Sequence, residues 1–277
     1  MNGSSGAMPF FLQAGQGHRF CLYYPPEPGL PVRGAILYVH PFAEELNKSR
    51  RMAALQARAF AARGYAVLQP DLYGCGDSSA DFADARWAIW KQDLALAATW
   101  LEHETRAPVS LWGLRLGALL ALDFASDAPV ALAALLFWQP AFDGKLHLNQ
   151  FLRMAIASQM FAPDAPAGSG TEALLQDLRR GKSLEVGGYT LAPELALAIA
   201  ALDGANLALP DCPLHWLELL VPASGTVAAA TRRLAEAWRS AGARVQVHPL
   251  RGVPFWATAE IVECPAMLAA TASAWAP

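Results

Sequence analysis

Short apolar runs alternate along the chain with longer segments in which apolar residues recur at helical spacing. Runs that are apolar at nearly every position are typical of strands buried on both faces of a parallel sheet. Their alternation with helices predicts βαβ units, and therefore a mainly parallel, doubly wound α/β fold. The predicted strands are Gly34–His40, Tyr65–Gln69, Pro108–Trp112, Val130–Trp138, Leu214–Leu220 and Val245–Leu250. The predicted helices are Arg50–Arg63, Phe82–Glu104, Ala118–Ser126, Val227–Ala241 and Ile261–Trp275.

Two regions depart from this alternation. Phe10–Pro25 alternates enough to predict one or two strands at a sheet edge, and the prolines that follow mark a loop. Between Gly144 and Pro210 lie helical pieces, a linker rich in proline, glycine and serine, and a strand-like piece, Leu184–Leu191. We interpret residues 144–210 as a cap inserted into a single domain that spans residues 1–277. The helical pieces of this cap are predicted at Leu148–Phe161, Glu172–Arg180 and Pro193–Leu202.

Composition and charge narrow the class of protein. The chain has 277 residues, of which 54% are hydrophobic and 16% charged, which favours a large globular domain and excludes disorder. A net charge of −3 provides no basic field, so we expect no nucleic-acid and no membrane partner. The four cysteines are scattered, so we expect reduced thiols, no metal and no cofactor. Because no signal-peptide pattern and no membrane-spanning apolar run is evident, we expect a cytoplasmic protein.

The segment Gly113-Leu114-Arg115-Leu116-Gly117 carries the clearest motif of the chain. It follows a predicted buried strand and leads directly into a predicted helix, which is the setting of the G-x-S-x-G nucleophile elbow. The two glycines fit a turn so sharp that side chains at their positions would collide with the strand or the helix. Arg115 stands where the nucleophile should be, and a guanidinium stays protonated, with no nucleophilic lone pair to offer.

Two further positions lack the residues that serine-hydrolase chemistry needs. The loop Val221–Gly225, after the strand that ends at Leu220, offers no acid, although Asp143 after the preceding strand could substitute. The loop Arg251–Trp256, after the last strand, offers no histidine, and His248 falls within the strand itself. The sequence therefore predicts that the chain does not use the ordinary Ser-His-Asp mechanism.

Four segments spread over the chain carry a resemblance to a known family: Tyr38–Met52, Gly64–Ser78, Leu111–Ala121 and Gly252–Trp256. At these residues the chain resembles the exosortase A system-associated hydrolase 2 family of the α/β-hydrolase superfamily. The resemblance implies an α/β-hydrolase fold in a bacterial protein encoded beside an exopolysaccharide and protein-sorting system. It also implies that members of the family share an arginine at the elbow. Arg115 then departs from the pattern of the superfamily and not from that of the family.

The loops beyond the carboxyl ends of the strands are the expected ligand site, because open α/β sheets bind their ligands there. We expect the backbone amides of Phe42 and Leu116 to form a nest that favours anions. Arg115 then either clamps a carboxylate, phosphate or acidic sugar, or pairs internally with a nearby acid and seals the site. The candidate internal partners are Glu44, Glu45 and Asp71, and the aromatic residues expected to stack on a sugar are Trp112, Phe255 and Trp256.

Several side chains in these loops are candidates for unconventional catalysis. His40 ends a predicted strand and is either a general base or a buried histidine with satisfied nitrogens. Glu44 and Glu45 are adjacent, so we expect one of them to face Arg115, and either could act as a base. Cys75 becomes a nucleophile only if its surroundings lower the pKa of its thiol. The catalytic candidates are therefore His40, Glu44, Glu45 and Arg115.

Three functions are compatible with these features. The sequence favours a binding or accessory protein on a hydrolase scaffold, with a small-molecule ligand that is acidic or sugar-like. The alternative is a hydrolase or acyl transferase that acts on esters or thioesters through Glu44, His40 or Cys75. A third is an interaction module in which the cap at residues 144–210 contacts another protein.

Overall fold

An eight-stranded sheet forms the centre of the molecule. The structure, a computed structural model, describes residues 6–159, 170–221 and 224–275. The strands are β1 Met8–Gln13, β2 His18–Tyr24, β3 Gly34–Val39, β4 Tyr65–Pro70, β5 Val109–Leu114, β6 Leu132–Trp138, β7 Leu184–Val186, β8 Tyr189–Leu191, β9 Leu214–Leu219 and β10 Val245–Leu250. The order in the large sheet is β1-β2-β4-β3-β5-β6-β9-β10. Strand β2 runs antiparallel to both of its neighbours, β1 and β4, and the remaining neighbours are parallel.

Helices cover both faces of this sheet, as the alternation of strands and helices predicts. The helices are α1 Glu44–Ala61, α2 Trp87–Thr105, α3 Leu116–Ala125, α4 Gly144–Gln159, α5 Thr171–Arg179, α6 Pro193–Ala201, α7 Ala229–Ser240 and α8 Pro265–Ala274, with short 3-10 helices at Phe82–Asp84 and Gly204–Asn206. Helices α1 and α8 share a core with Tyr38 and Trp112, whereas α2, α3 and α7 share the opposite core with Leu37 and Leu111. Each buried strand thus contributes alternate side chains to two cores, which confirms the doubly wound α/β fold.

Several helix boundaries differ from the sequence prediction, and two of the differences lie close to the expected site. Helix α1 begins at Glu44, six residues before the predicted start at Arg50. Glu44 and Glu45 occupy its first turn, where acidic side chains are stabilised by the helix dipole. The predicted long helix Phe82–Glu104 is divided, because a 3-10 turn over Phe82–Asp84 precedes α2.

The segment predicted as a cap packs on the loops that follow β3 and β4. Its helices α4, α5 and α6 contact one another, and β7 and β8 pair as a separate antiparallel hairpin. Phe42, after β3, packs edge-to-face on Phe151 of α4 at 4.9 Å between ring centroids. Phe82 packs in the same way on Tyr189 of β8 at 5.0 Å. Residues 160–169, which include the predicted linker and Phe161, lie outside the described residues, and the subdomain bounds 144–210 stay a prediction.

The glycines of the elbow are required by close packing. A Cβ on Gly117 would collide with the carbonyl oxygens of Val39 and His40, and a Cβ on Gly113 would collide with the backbone of Ala118. The opposing atoms are backbone atoms of a buried strand and a helix, which cannot move aside without breaking sheet or helix hydrogen bonds. These contacts confirm the steric reason for the two glycines of the motif.

We expect Gly117→Ala to lower the free energy of unfolding by about 3 kcal/mol or more, because overpacking against backbone is poorly relieved. Urea unfolding followed by circular dichroism measures this change. Gly15→Ala is the matched control, since a Cβ there meets no atom within 4 Å. Equal midpoints for the two variants would contradict the packing argument.

Candidate functional site

Arg115 occupies a strained corner between β5 and α3. Its backbone torsions are φ 55° and ψ −120°, a region that residues with side chains rarely adopt. Three backbone hydrogen bonds hold it there: its N–H donates to Trp138 O, and its carbonyl accepts from the amides of Ala118 and Ala141, all at 3.1 Å. The backbone therefore has the geometry of a nucleophile elbow, with a guanidinium on the central residue.

The guanidinium of Arg115 is paired with Glu45. Its Nε donates to Glu45 Oε1 at 3.2 Å, and the two side chains are only 16% and 12% exposed. Its Nη1 donates to the carbonyl oxygen of Gln139 at 3.4 Å, and the ring of Trp256 lies 5.5 Å from the guanidinium carbon. Of the three acids considered as internal partners, Glu45 alone forms an ion pair with Arg115 among the described residues.

Asp71 has a different role from the one predicted for it. Its Oδ2 accepts hydrogen bonds from Arg50 at 3.1 Å and from the amide of Asp77 at 3.0 Å, while its carbonyl accepts from Ser78 Oγ at 2.6 Å. These bonds fold the loop after β4 onto α1. Asp71 is thus a loop-stabilising residue, and the structure does not bring it to Arg115.

Glu45 is buried in the first turn of α1, close to a second carboxylate. Burial is the main cause that raises its pKa to about 7, while the charge of Arg115 and its hydrogen bond oppose the shift. The neighbouring carboxylate of Glu44 adds to the rise. Glu45 Oε2 is buried without a hydrogen-bond partner among the described residues, and so is Glu44 Oε2. The Arg115–Glu45 pair is therefore incompletely satisfied on its acidic side.

His147 of α4 belongs to the site, although the sequence analysis did not single it out. Its side chain is buried against Phe42, with ring centroids 5.9 Å apart, and its Nδ1 has no partner in the described part of the chain. Burial and the nearby charge of Arg115 lower its pKa to about 3, so its ring is neutral at pH 7. No local signal marks His147, because the sequence does not say which face of a cap helix packs on the elbow.

Glu218 is a second buried acid that sequence reasoning missed. It is the penultimate residue of β9, and its carboxylate accepts hydrogen bonds from Trp216 Nε1 at 2.8 Å and Thr231 Oγ1 at 2.9 Å. Burial raises its pKa, and these two bonds, a third from Gln139 and the charge of Arg115 lower it. The available signal was a charged residue inside a predicted buried strand. The carbonyl oxygen of Gln139 also accepts a hydrogen bond from Arg115. Gln139 thus links the Glu218 network to the elbow.

A cavity of about 580 Å³, which we call the elbow cavity, opens beside Arg115. Its wall includes an apolar stretch made by Phe142, Leu146, Trp216 and Leu234. The polar and charged side chains along it are Arg115, Asp143, His147, Gln150, Asp203, Thr231 and Arg233. Its volume lies within the range of about 300–1,000 Å³ that is typical of small-molecule sites.

A smaller cavity of about 80 Å³, the inner cavity, adjoins the first and shares His147 and Gln150 with it. Its remaining walls are Phe42, Glu44, Glu45, Phe151 and Met154. Three of the residues around it carry buried atoms without partners in the described part of the chain: Glu44 Oε2, Glu45 Oε2 and His147 Nδ1. The inner cavity is thus a small polar recess with spare hydrogen-bonding capacity.

Two residues proposed for unconventional catalysis, His40 and Cys75, have surroundings that suit a structural role. His40 Nδ1 lies 2.8 Å from the carbonyl oxygen of Pro41, and its Nε2 accepts the amide of Leu72 at 3.3 Å. Both ring nitrogens therefore have hydrogen-bond partners. Of the two interpretations, general base or satisfied buried histidine, His40 fits the second. Burial raises the pKa of the Cys75 thiol far above its ordinary value, and the charges of Asp71 and Asp93 add to this. A thiol in these surroundings stays protonated and is a poor nucleophile.

The aromatic stacking surface expected for a sugar is not available at this site. Trp112 is wholly buried between Tyr38 and Trp138 in the core under α1, and Phe255 is wholly buried as well. Trp256 is 5% exposed and covers one side of Arg115. Sequence periodicity places these residues near the ends of strands, but the direction in which each side chain points is decided by packing.

The remaining candidates are distributed around the elbow. Phe42 and Leu116 lie next to it with buried side chains, and the use of their amides as an anion nest stays a prediction. Asp143 lines the elbow cavity and accepts the amide of Leu146 at 2.8 Å, so it stabilises the start of α4. His248 faces His215, with Nε2 and Nδ1 3.1 Å apart, in contact with neither cavity.

Two findings concern the described residues as a whole. No group of histidine, cysteine, aspartate and glutamate side chains within them is arranged to hold a metal ion. In the same ranges, every helix is too short or too polar to cross a lipid bilayer.

Solved structures with a similar fold are esterases, lipases and related hydrolases. Est1E from Butyrivibrio proteoclasticus, solved with ferulic acid bound, has a TM-score of 0.65 at 12% identity over 95% of each chain. A serine hydrolase without a lid from Xanthomonas campestris has a TM-score of 0.60 at 14% identity, over 99% of this chain and 96% of that one. A soluble variant of monoglyceride lipase from Saccharomyces cerevisiae reaches 0.60 at 14% identity, over 90% and 88%. These likenesses identify an α/β-hydrolase fold.

The sequence comparison gives the family. Residues 31–183 match the family described as serine aminopeptidase, S33, and the chain belongs to this family of α/β hydrolases. Among curated proteins, no sequence matches the chain significantly. The matched range contains the elbow with Arg115 and the first part of the segment predicted as a cap.

The raised pKa of Glu45 makes stability depend on pH. Between its ordinary value of 4.5 and about 7, the unfolded chain has released the proton of Glu45 while the folded chain still holds it. The free energy of unfolding therefore falls as pH rises through this window, by about 3 kcal/mol from this residue. We expect Glu45→Gln to remove this fall, so that the difference in stability between variant and wild type shifts in favour of the variant as the pH rises to 8.

Urea unfolding at a series of pH values from 4.5 to 8 measures this difference. Glu102→Gln, which changes an exposed glutamate on α2, is the control and should leave the pH profile unchanged. If the Glu45→Gln profile ran parallel to that of the wild type, Glu45 would titrate as an ordinary glutamate.

Proposed function

We propose that this chain binds an anionic small molecule at Arg115 and is a pseudo-enzyme, without the serine-hydrolase reaction of its superfamily. The observation that carries the proposal is the guanidinium at the elbow corner, where the chemistry of the superfamily begins with a hydroxyl. A guanidinium offers hydrogen-bond donors and a fixed charge but no nucleophile. It suits the recognition of a carboxylate or phosphate, which it can bind in bidentate fashion.

Arg115 has donors to spare for such a ligand. A guanidinium has five N–H donors, and protein acceptors within the described residues account for Nε and one bond from Nη1. The side chain also lines the elbow cavity, so an anion placed there reaches it without rearrangement of the backbone. The positive end of α3, which begins at Leu116, adds to the attraction for an anion.

The rest of the elbow cavity suits an apolar body. Phe142, Leu146, Trp216 and Leu234 form a continuous apolar stretch that a hydrocarbon or aromatic ligand would desolvate on binding. With Trp112 and Phe255 buried in the core, the support for a stacked sugar is weaker than the sequence alone suggested. We therefore favour an acid with an apolar body over an acidic sugar.

The wider setting of the protein is part of the proposal. The resemblance to the exosortase A system-associated hydrolase 2 family supports a role beside an exopolysaccharide system, in which this chain binds a metabolite or acts as an accessory protein. A protein partner that docks on the cap, residues 144–210, is compatible with that role. The cytoplasmic location expected from the sequence stays a prediction.

Titration calorimetry with octanoate tests the proposal. We expect saturable binding to the wild type, and a loss of at least about tenfold in affinity for Arg115→Ala, because a charge-assisted contact contributes about 1.5–3 kcal/mol. Octanol, which has the same chain without the charge, should bind more weakly to the wild type. Arg232→Ala, which removes an exposed arginine outside the cavity, is the matched control. Identical weak binding of octanoate to wild type and Arg115→Ala would reject the anion site.

A hydrolase or acyl transferase is the second candidate, and the surroundings of Glu45 favour it over the other routes considered. A carboxylate with a pKa of about 7 is suited to general acid–base work at neutral pH. It lies 3.2 Å from Arg115, whose charge could stabilise an oxyanion. In this scheme Glu45 would activate water, since His40 and Cys75 are engaged or protonated.

Arg115→Ser separates the two candidates. His147 is the histidine that lines the elbow cavity, and a pKa of about 3 makes it a poor base for a serine. We expect the variant to hydrolyse p-nitrophenyl acetate and a thioester no faster than wild type within about twofold. A large gain in the variant would show that a competent base and acid are in place. Turnover by the wild type that is lost in Glu45→Gln would support the second candidate instead.

A further inference from the structure

We infer that Glu45 determines the ligand specificity of this site: a ligand carboxylate replaces Glu45 on Arg115, and Glu45 takes up one proton from solvent, so that the site accepts monoanions and rejects dianions. This inference rests on the proposed anion site and adds to it the charge state of the ligand. The exchange forms one O–H bond, on Glu45, and breaks the bond that held this proton in a buffer acid. One ion pair, Arg115–Glu45, gives way to another, and the proton that Glu45 gains comes from the buffer.

The charges around Arg115 favour the exchange. Arg115 and Glu45 are almost enclosed, and their ion pair is the one that Arg115 makes within the described residues. A carboxylate that arrives at Arg115 therefore meets an acid already in place, with the carboxylate of Glu44 beside it. The ligand carboxylate and Glu45 would then share one guanidinium in a nearly enclosed site. Like charges in low dielectric cannot all remain ionised, so one group must be protonated.

Glu45 is the group suited to take that proton. Its Oε2 is buried without a partner among the described residues, and Glu45 lines the inner cavity. The pKa of Glu45 is already about 7 while Arg115 still holds it down. When a ligand carboxylate pairs with Arg115, the charge and the hydrogen bond of Arg115 lower the pKa of Glu45 less. The pKa of Glu45 therefore rises further.

The other ionisable groups around Glu45 do not replace it in this role. From α1, Glu44 and Lys48 act on it with opposite signs. From α4, His147 has a pKa of about 3 and is uncharged at neutral pH. From β3, the buried phenol of Tyr38 has a raised pKa and also carries no charge. Lys48 and Arg115 are thus the cations that act on Glu45.

The sign of the pH dependence follows. Below about pH 7 Glu45 is already protonated in the free protein, so a carboxylate binds without proton uptake. Above that value each bound ligand requires one proton, and the affinity falls about tenfold per pH unit. A ligand with a second negative charge on its head group adds a further like charge beside Arg115, so we expect it to bind more weakly than the matching monoanion.

Calorimetry of the whole chain with octanoate at pH 6, 7 and 8 tests the inference. Each titration is repeated in two buffers of different ionisation enthalpy, which gives the number of protons taken up. For the wild type we expect about 0.1 proton at pH 6 and about 0.9 at pH 8, with an affinity about tenfold lower at pH 8. Hexylmalonate, which carries two carboxylates on one carbon, should bind at least tenfold more weakly than octanoate at pH 8.

Glu45→Gln keeps the shape of the side chain and removes its titration. We expect this variant to bind octanoate without proton uptake, with the same affinity from pH 6 to 8, and about tenfold more tightly than wild type at pH 8. A residue with a merely structural role would weaken binding when changed, so a gain in affinity is diagnostic. Glu44→Gln, the neighbouring control, should retain proton uptake.

The outcomes separate this inference from the proposed function. Octanoate binding to the wild type without proton uptake at pH 8, or unchanged affinity in Glu45→Gln, overturns the inference and leaves the anion site standing. Absence of octanoate binding at all three pH values overturns the proposed function itself. If circular dichroism shows that Glu45→Gln does not fold, the proton count of the wild type alone decides.

Discussion

A charged group held at a strained, nearly enclosed corner is the constraint on which the rest of the site depends. The corner forces the side chain of Arg115 towards the mouth of the sheet, and its positive charge cannot remain there without a counter-charge. Glu45 supplies that charge from the first turn of α1, and the carbonyl oxygen of Gln139 supplies a further acceptor. The burial of Glu45, in turn, produces the pKa of about 7 that gives the site its sensitivity to pH.

The backbone strain of the site is distributed over three corners. Ala43, Arg115 and Gln139 have positive φ angles of 48°, 55° and 41°, and they follow the adjacent strands β3, β5 and β6. Such conformations cost of order 1–3 kcal/mol each and persist where the surrounding structure fixes them. Here the fixing comes from backbone hydrogen bonds and from Gly117, which lets α3 approach β3 closely. The chain thus keeps the scaffold of a hydrolase site while its central side chain has a different chemistry.

Sequence reasoning was effective where the physical signal is local. The buried strands were predicted within one or two residues, because a continuous apolar run is incompatible with exposure on either face. The elbow was predicted because two glycines between a strand and a helix have a steric cause that the structure confirms. The start of α1 was placed late, since Glu44 and Glu45 resemble loop residues until the helix dipole and the partner Arg115 are considered.

The residues that complete the site were set by contacts that no short stretch of sequence contains. His147 lies in a cap helix and Glu218 lies inside a strand. Both reach the neighbourhood of Arg115 only when α4 packs on α3 and β9 pairs with β6. Trp112 illustrates the converse, because one residue of strand register decides whether a side chain faces the core under α1 or the opposite face.

The sequence by itself determined the doubly wound fold, the position of the corner and the identity of the charge that stands on it. These depend on apolar periodicity and on the steric needs of glycine, which act between near neighbours. Only the tertiary structure decided that Glu45 is the partner of Arg115, that His147 and Glu218 surround it, and that an apolar cavity opens beside it. The physical reason is that burial and charge pairing are properties of the assembled surfaces, and these surfaces join residues that are about 25 to 100 positions apart along the chain.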